Sequence, residues 1–185
     1  MSSEFDTYKI LIAGDQELGF SLCARFIDRK LVDPRMLALE SLAEDWPEDE
    51  WRKLVSVSLA GNIHTLELHL ELHGPWVWTL YGVMEPRDYF RRFEAAIIAA
   101  DPRHTDSYTH LPSFIESIGA HIGGTIPMIV IADTSEGLTN DQLDKVEDMA
   151  KQLDLPFVKV NIQTGENVES VFKKLAQIIC EEENP

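Results

Sequence analysis

Residues 8–27, YKILIAGDQELGFSLCARFI, set the pattern for the whole chain. Tyr8–Ala13 is a short apolar run ending at Gly14, the profile of a strand buried on both faces. Beyond a second glycine, Phe20, Leu22, Cys23, Phe26, Ile27 and Leu31 recur at helical spacing. The unit is strand, glycine loop, helix. Gly14, Gly19 and Ser21 come within one residue of the phosphate-binding pattern G-x-x-x-x-G-K-[ST], but Phe20 stands where the lysine belongs.

Working outward, residues 33–53 are polar, acidic and punctuated by Pro34 and Pro47, which predicts an irregular connection. Leu54–Leu59 alternates apolar and polar, Ala60-Gly61-Asn62 supplies turn residues, and Thr65–His73 alternates again. This is a β-hairpin. Residues 76–93 are rich in aromatics and take no clear pattern. Glu94–Asp101 is a buried strand, Ser107–Ile122 a helix, Pro127–Ala132 a strand, Thr139–Leu153 a helix and Phe157–Val160 a short strand. A last helix is expected from about Asn167 to Cys180, followed by an acidic tail at 181–185.

Strands alternating with helices require parallel crossovers and a sheet covered on both faces. The expected fold class is therefore α/β, a mixed six-stranded sheet with one antiparallel edge strand and helices on both faces. No internal repeat interrupts residues 1–185, so a single domain is expected.

The net charge of −16, from 32 acidic and 16 basic residues, argues against nucleic acid or an anionic membrane as partner. The expected partner is a protein, whose identity the sequence does not specify. Cys23 and Cys180 are far apart and lie in apolar-periodic segments, which with the lack of a leader suggests a reducing, cytoplasmic compartment. Neither end offers a lipidation signal, so no direct membrane anchor is expected.

The order of elements, with a glycine loop after the first strand, resembles the Ras-like small GTPases, the Rab type in particular. YKILIAGDQELGFSLCARFI is similar to that family's first strand, phosphate loop and first helix. RDYFRRFEAAIIAADPRHTDSYTHLPSFIESI resembles the segment around its fourth strand, and IPMIVIADTSEGL the strand ending in the guanine-reading N-K-x-D. FVKVNIQTGENVESVFKKLAQII resembles the S-A-K motif and last helix, with Thr164–Val168 almost verbatim. The resemblance implies a Ras-like P-loop fold with GTP or GDP and Mg²⁺ as its ligands.

The positions that would carry that chemistry depart from the pattern one after another. In the phosphate loop, Gly14, Gly19 and Ser21 match, whereas Phe20 brings no charge and Asp15 and Glu17 bring two carboxylates. Removing a cation and adding anions beside a polyanion costs several kcal/mol even at an effective dielectric of about 20. The D-x-x-G region falls at Glu71–Gly74, and Pro75 stands where a glutamine would orient the attacking water. The guanine motif reads Asp133-Thr134-Ser135-Glu136, and S-A-K reads Asn161-Ile162-Gln163.

Two other groups of residues have candidate roles. In LELHLELHG the leucines face one way and Glu67, His69, Glu71 and His73 the other. His69 and His73 lie about 13 Å apart at about 3.3 Å per residue, too far to share an ion. A polar or partner-facing strand surface is expected there, and no metal site anywhere. The aromatics Trp46, Trp51, Trp76, Trp78 and Tyr81 fall in the segments corresponding to the family's switches. They form an interface or fold inward over the pocket.

These features point to a Ras-like domain without hydrolysis and without a cofactor, acting as a protein-interaction or regulatory module with no catalytic residue. The alternative is an atypical small GTPase that still binds GTP or GDP with Mg²⁺, helped by a lysine from elsewhere, Lys30 or Lys53.

Overall fold

The computed structural model describes residues 6–28, 51–72, 90–135 and 138–183. Among them, β1 (Asp6–Gly14), β2 (Arg52–Leu59), β3 (Asn62–Leu72), β4 (Ala95–Ala99), β5 (Met128–Asp133) and β6 (Phe157–Val160) form one sheet in the order β2-β3-β1-β4-β5-β6. β1, β3, β4, β5 and β6 are parallel, and β2 alone runs antiparallel, at the edge beside β3. The expected mixed sheet with one antiparallel edge strand is therefore present.

Strand composition explains the layering. β4 and β5 are buried at every position, as a central parallel strand between two helical layers must be. Along β1 the side chains part by parity. Ile10 and Ile12 enter one core with α1 (Gln16–Asp28) and α5 (Val168–Glu183), whereas Leu11 and Ala13 enter the other with α3 (Leu111–Ile122) and α4 (Asn140–Gln152). α1 and α5 meet through Phe26 and Phe172, whose stacked rings have centroids 3.6 Å apart. Tyr8 Oη donates to the Glu183 carboxylate at 2.8 Å, fixing the end of α5 to the start of β1.

Three elements differ from the sequence expectation. The helix expected over 107–122 is broken into α2 (Thr105–Thr109) and α3, because Pro112 has no N–H for the hydrogen bond that would continue the first helix. The acidic tail at 181–185 is helical over its described part: Glu181, Glu182 and Glu183 form the last turn of α5. The turn of the β2–β3 hairpin is two residues, Ala60 and Gly61, at φ 49° and 85°, so Asn62 already belongs to β3. No described helix is long and apolar enough to cross a membrane.

Candidate functional site

In an open parallel sheet the loops at the carboxyl ends of the strands converge, and this is where a site is built. Here those loops follow β1, β4, β5 and β6. The first is shorter than its sequence suggests. β1 ends at Gly14 and α1 begins at Gln16, leaving Asp15 alone between them. Asp15 donates its amide to Ala99 O at 2.7 Å, and its carbonyl accepts from Gly19 N at 2.9 Å. Its Oδ1 accepts from Leu18 N at 3.0 Å. Asp15 is thus an N-cap, its charge placed at the positive end of the helix dipole. The loop expected between Gly14 and Gly19 is corrected accordingly: Glu17 and Gly19 are already helical, as Phe20 and Ser21 are.

Each glycine has a separate reason. Gly14 sits at φ 95°, and a Cβ there would lie 2.2 Å from Ala99 O, so no other residue fits. Gly19 lets α1 approach the sheet, since a Cβ there would meet Ile12 Cγ2 at 3.1 Å. Phe20, at the position of the missing lysine, is buried and packs against Trp51 with ring centroids 5.6 Å apart. Trp51 therefore turns inward. Trp46, Trp76, Trp78 and Tyr81 lie outside the described residues, as do Gly74, Pro75 and Glu136. Ser21 is buried. Lys53 cannot replace the missing cation: it donates to Phe26 O and lies 4.3 Å over the Phe26 ring, about 9 Å along the axis from Phe20.

A charged group that the sequence reading missed occupies the loop after β4. Asp101 is 3% exposed, and Arg103 grips its carboxylate, Nε to Oδ1 at 2.9 Å and Nη2 to Oδ2 at 2.7 Å. The Arg103 amide adds a bond to Oδ1 at 2.9 Å. His104 Nδ1 lies 3.4 Å from Asp15 Oδ2 and 3.7 Å from Asp101 Oδ2, and Arg103 Nη2 lies 3.9 Å from Asp133 Oδ2. Burial opposes ionisation of Asp101, but the hydrogen bonds and charge of Arg103, with His104, outweigh it and hold the carboxyl below its usual range. The signal was the run Asp101-Pro-Arg-His104 directly after a buried strand.

The loops after β5 and β6 are joined by Asp133. Its buried carboxylate accepts from Ser135 N at 3.2 Å, from Ile162 N at 3.1 Å and from the Ser135 hydroxyl. Thr134 donates its amide and hydroxyl to Val160 O at 2.7 and 3.0 Å. Asn161 Oδ1 accepts from Thr164 N at 2.9 Å, and Arg25 reaches from α1 to Gln163 O and Thr164 O at 3.5 and 3.0 Å. A cavity of about 310 Å³ lies between α1 and the start of α5, lined by Arg25, Thr164, Gly165, Val168 and Glu169.

Glu71, from the D-x-x-G region, pairs with Lys9 at 3.8 Å and closely with Arg92. The Glu/His stripe of β3 is corrected in one respect: His69 is 5% exposed and so not part of a polar surface. Glu67 accepts from Thr7 Oγ1 at 2.9 Å and faces Arg52 at 3.9 Å. His73 lies outside the described residues.

Asp15, Asp101 and His104 place ligand atoms within 4.8 Å of one another, a spacing that suits a metal ion, although both oxygens of Asp101 already bind Arg103. For a nucleotide triphosphate with Mg²⁺ the described residues are a poor fit. A phosphate cradle needs free amides and a cation facing inward. Here the first-turn amide of Leu18 is bonded to Asp15, and an aromatic ring replaces the lysine. The Arg103 guanidinium is held by a carboxylate.

A model of the Ras family matches residues 81–181. Across 180 residues the chain is 23% identical to Ras-related protein SEC4 of Candida albicans, covering 94% of this chain and 77% of that protein. It is 24% identical over 179 residues to Ras-related protein SEC4 of Saccharomyces cerevisiae, with coverages of 94% and 75%. Ras-related protein RabF1 of Dictyostelium discoideum is 22% identical over 186 residues, with coverages of 96% and 87%.

Proposed function

The chain belongs to the Ras family, and we propose that it is a member that has given up GTP hydrolysis and nucleotide capture and works as a protein-interaction module. One observation carries this reading. Asp133, at the first position of the guanine motif, is buried and bonded to the Ser135 and Ile162 amides of its own chain. Filling by side chains, rather than by a ligand, then orders the loops. Phe20 against Trp51 supports the same reading, because a buried ring covered by a partly buried one takes the place where a lysine would meet phosphate. Such a domain presents its loops in one state, whereas a nucleotide-driven relative orders them through the γ-phosphate and Mg²⁺. The charge of −16 favours a protein partner over nucleic acid.

The competing reading, a small GTPase that still binds GTP or GDP with Mg²⁺, rests on the family match itself. Calorimetric titration of the purified, extracted protein with each nucleotide and Mg²⁺ separates the two. No heat and no co-purified nucleotide are expected. Binding tighter than about 10 μM, roughly 7 kcal/mol, would sink the proposal. Phe20→Lys sharpens it: the substitution is expected to create no nucleotide affinity.

A further inference from the structure

We infer that Arg103 is a built-in counter-ion, its guanidinium standing where a bound cation would otherwise be needed near Asp15, Asp101 and Asp133, so that its side chain ties the loop after β4 to the loop after β5 while its neighbour His104 reaches the cap of α1. The inference deepens the reading that this end of the sheet is ordered without a nucleotide, and rests on it.

Three carboxylates converge here, and all are shielded from water. Side-chain exposure is 15% for Asp15, 5% for Asp101 and 6% for Asp133. Such a group repels itself and stays together only around positive charge. Arg103 supplies it in a form that a point charge would not. Its planar fork binds Asp101 through Nε and Nη2, its own amide binds the same carboxylate, and Nη2 turns toward Asp133. His104 extends the same loop to Asp15, the cap of α1. The Asp101 hydrogen bond comes first in holding the Arg103 proton more firmly than usual; burial opposes it, and the charges of Asp101, Asp133 and Asp15 reinforce it.

The geometry also states what the guanidinium displaces. Asp15, Asp101 and His104 offer one ligand atom each within 4.8 Å, the mixed oxygen and nitrogen set of a divalent-cation site. With Arg103 in place, Asp101 has no oxygen to spare. Without it, the carboxylates need a cation from solution.

Hydrogen exchange read by mass spectrometry tests this, on wild type and Arg103→Gln, with and without millimolar Mn²⁺, which accepts both carboxylate and imidazole ligands. The peptides to follow carry Leu18, Ser135 and Ile162, whose amides donate to Asp15 and Asp133. The β2–β3 hairpin serves as the internal reference. Exchange in the three peptides is expected to rise roughly ten-fold in Arg103→Gln, with the hairpin unchanged, and to return toward wild type on adding Mn²⁺. Wild type is expected to ignore Mn²⁺. An unchanged or chain-wide response in the variant, or a local rise that Mn²⁺ does not reverse, overturns the inference. Should Arg103→Gln fail to fold, Arg103→Lys carries the test: charge without the fork should give a smaller rise confined to the same peptides, and its absence overturns the inference. Because the readout is amide protection rather than nucleotide affinity, this inference and the proposed function fail separately.

Discussion

Two glycine-bearing connections lead from a strand into a helix, and they are built in opposite ways. The one after β6 takes its turn mostly from its own residues, with Arg25 and Asp133 bonding to it from outside. Asn161 caps the Thr164 amide, Gly165 N bonds back to Asn161 O at 2.8 Å, and Asn167 Nδ2 donates to Lys159 O at 3.0 Å. The one after β1 depends on distant residues. Gly14 lies against Ala99 from β4, and Asp15 meets His104 from the loop beyond it. A local turn keeps its shape from its own residues; a junction assembled from several loops keeps its shape only while all of them are in place.

The contrast can be broken by substitution. Gly14→Ala is expected to do the most damage. A methyl 2.2 Å from Ala99 O, at φ 95°, leaves the strand ends no way to relax. A loss of about 4 kcal/mol or more in chemical denaturation is expected. A loss below about 1 kcal/mol would show the junction to be as tolerant as a surface turn. Asp133→Ala comes next, at about 3 kcal/mol, because the Ser135 and Ile162 amides lose their buried acceptor. Asp133→Asn, which keeps an oxygen for those amides, should recover most of that loss. If both variants cost the same, charge rather than hydrogen bonding joins the two loops.

Gly165→Ala should cost less, about 1–2 kcal/mol. Its φ of 82° is strained for alanine, but the atoms in the way belong to the tip of Arg25, which can move. A larger effect at Gly165 than at Gly14 would reverse the comparison. The smallest effect is on pH dependence. Asp101 has a folded-state pKa below its ordinary 3.8, so its contribution is fully present above that value and lost as pH falls through the folded-state one. Urea titrations from about pH 5 downward should show a shallower acid-induced fall for Arg103→Gln than for wild type. Equal slopes would remove the Asp101–Arg103 pair from the acid response.

What was legible in the sequence follows the same division. Hydrophobic periodicity located the six strands among the described residues and the long helices around them, because a two-residue or 3.6-residue repeat is local information. It erred where one residue overrules the repeat, as Pro112 does in dividing α2 from α3. The candidate site was legible as a set of departures from a family pattern. Its working parts were not: Asp15 reads as a stray carboxylate in a phosphate loop, yet it is the cap that shortens that loop to one residue. Arg103 and His104 passed unnoticed, because their meaning depends on carboxylates 30 to 90 positions away along the chain.

The sequence by itself determined the α/β class, the order of elements, the single antiparallel strand and the absence of a lysine at position 20. Each of these depends on neighbours in the chain or on the identity of one residue. Only the tertiary structure decided that Phe20 is sealed under Trp51, that Asp133 faces Ile162, and that Arg103 sits among three carboxylates. Those facts arise where four strands end side by side, and the parallel crossovers that bring the strand ends together separate them widely in sequence.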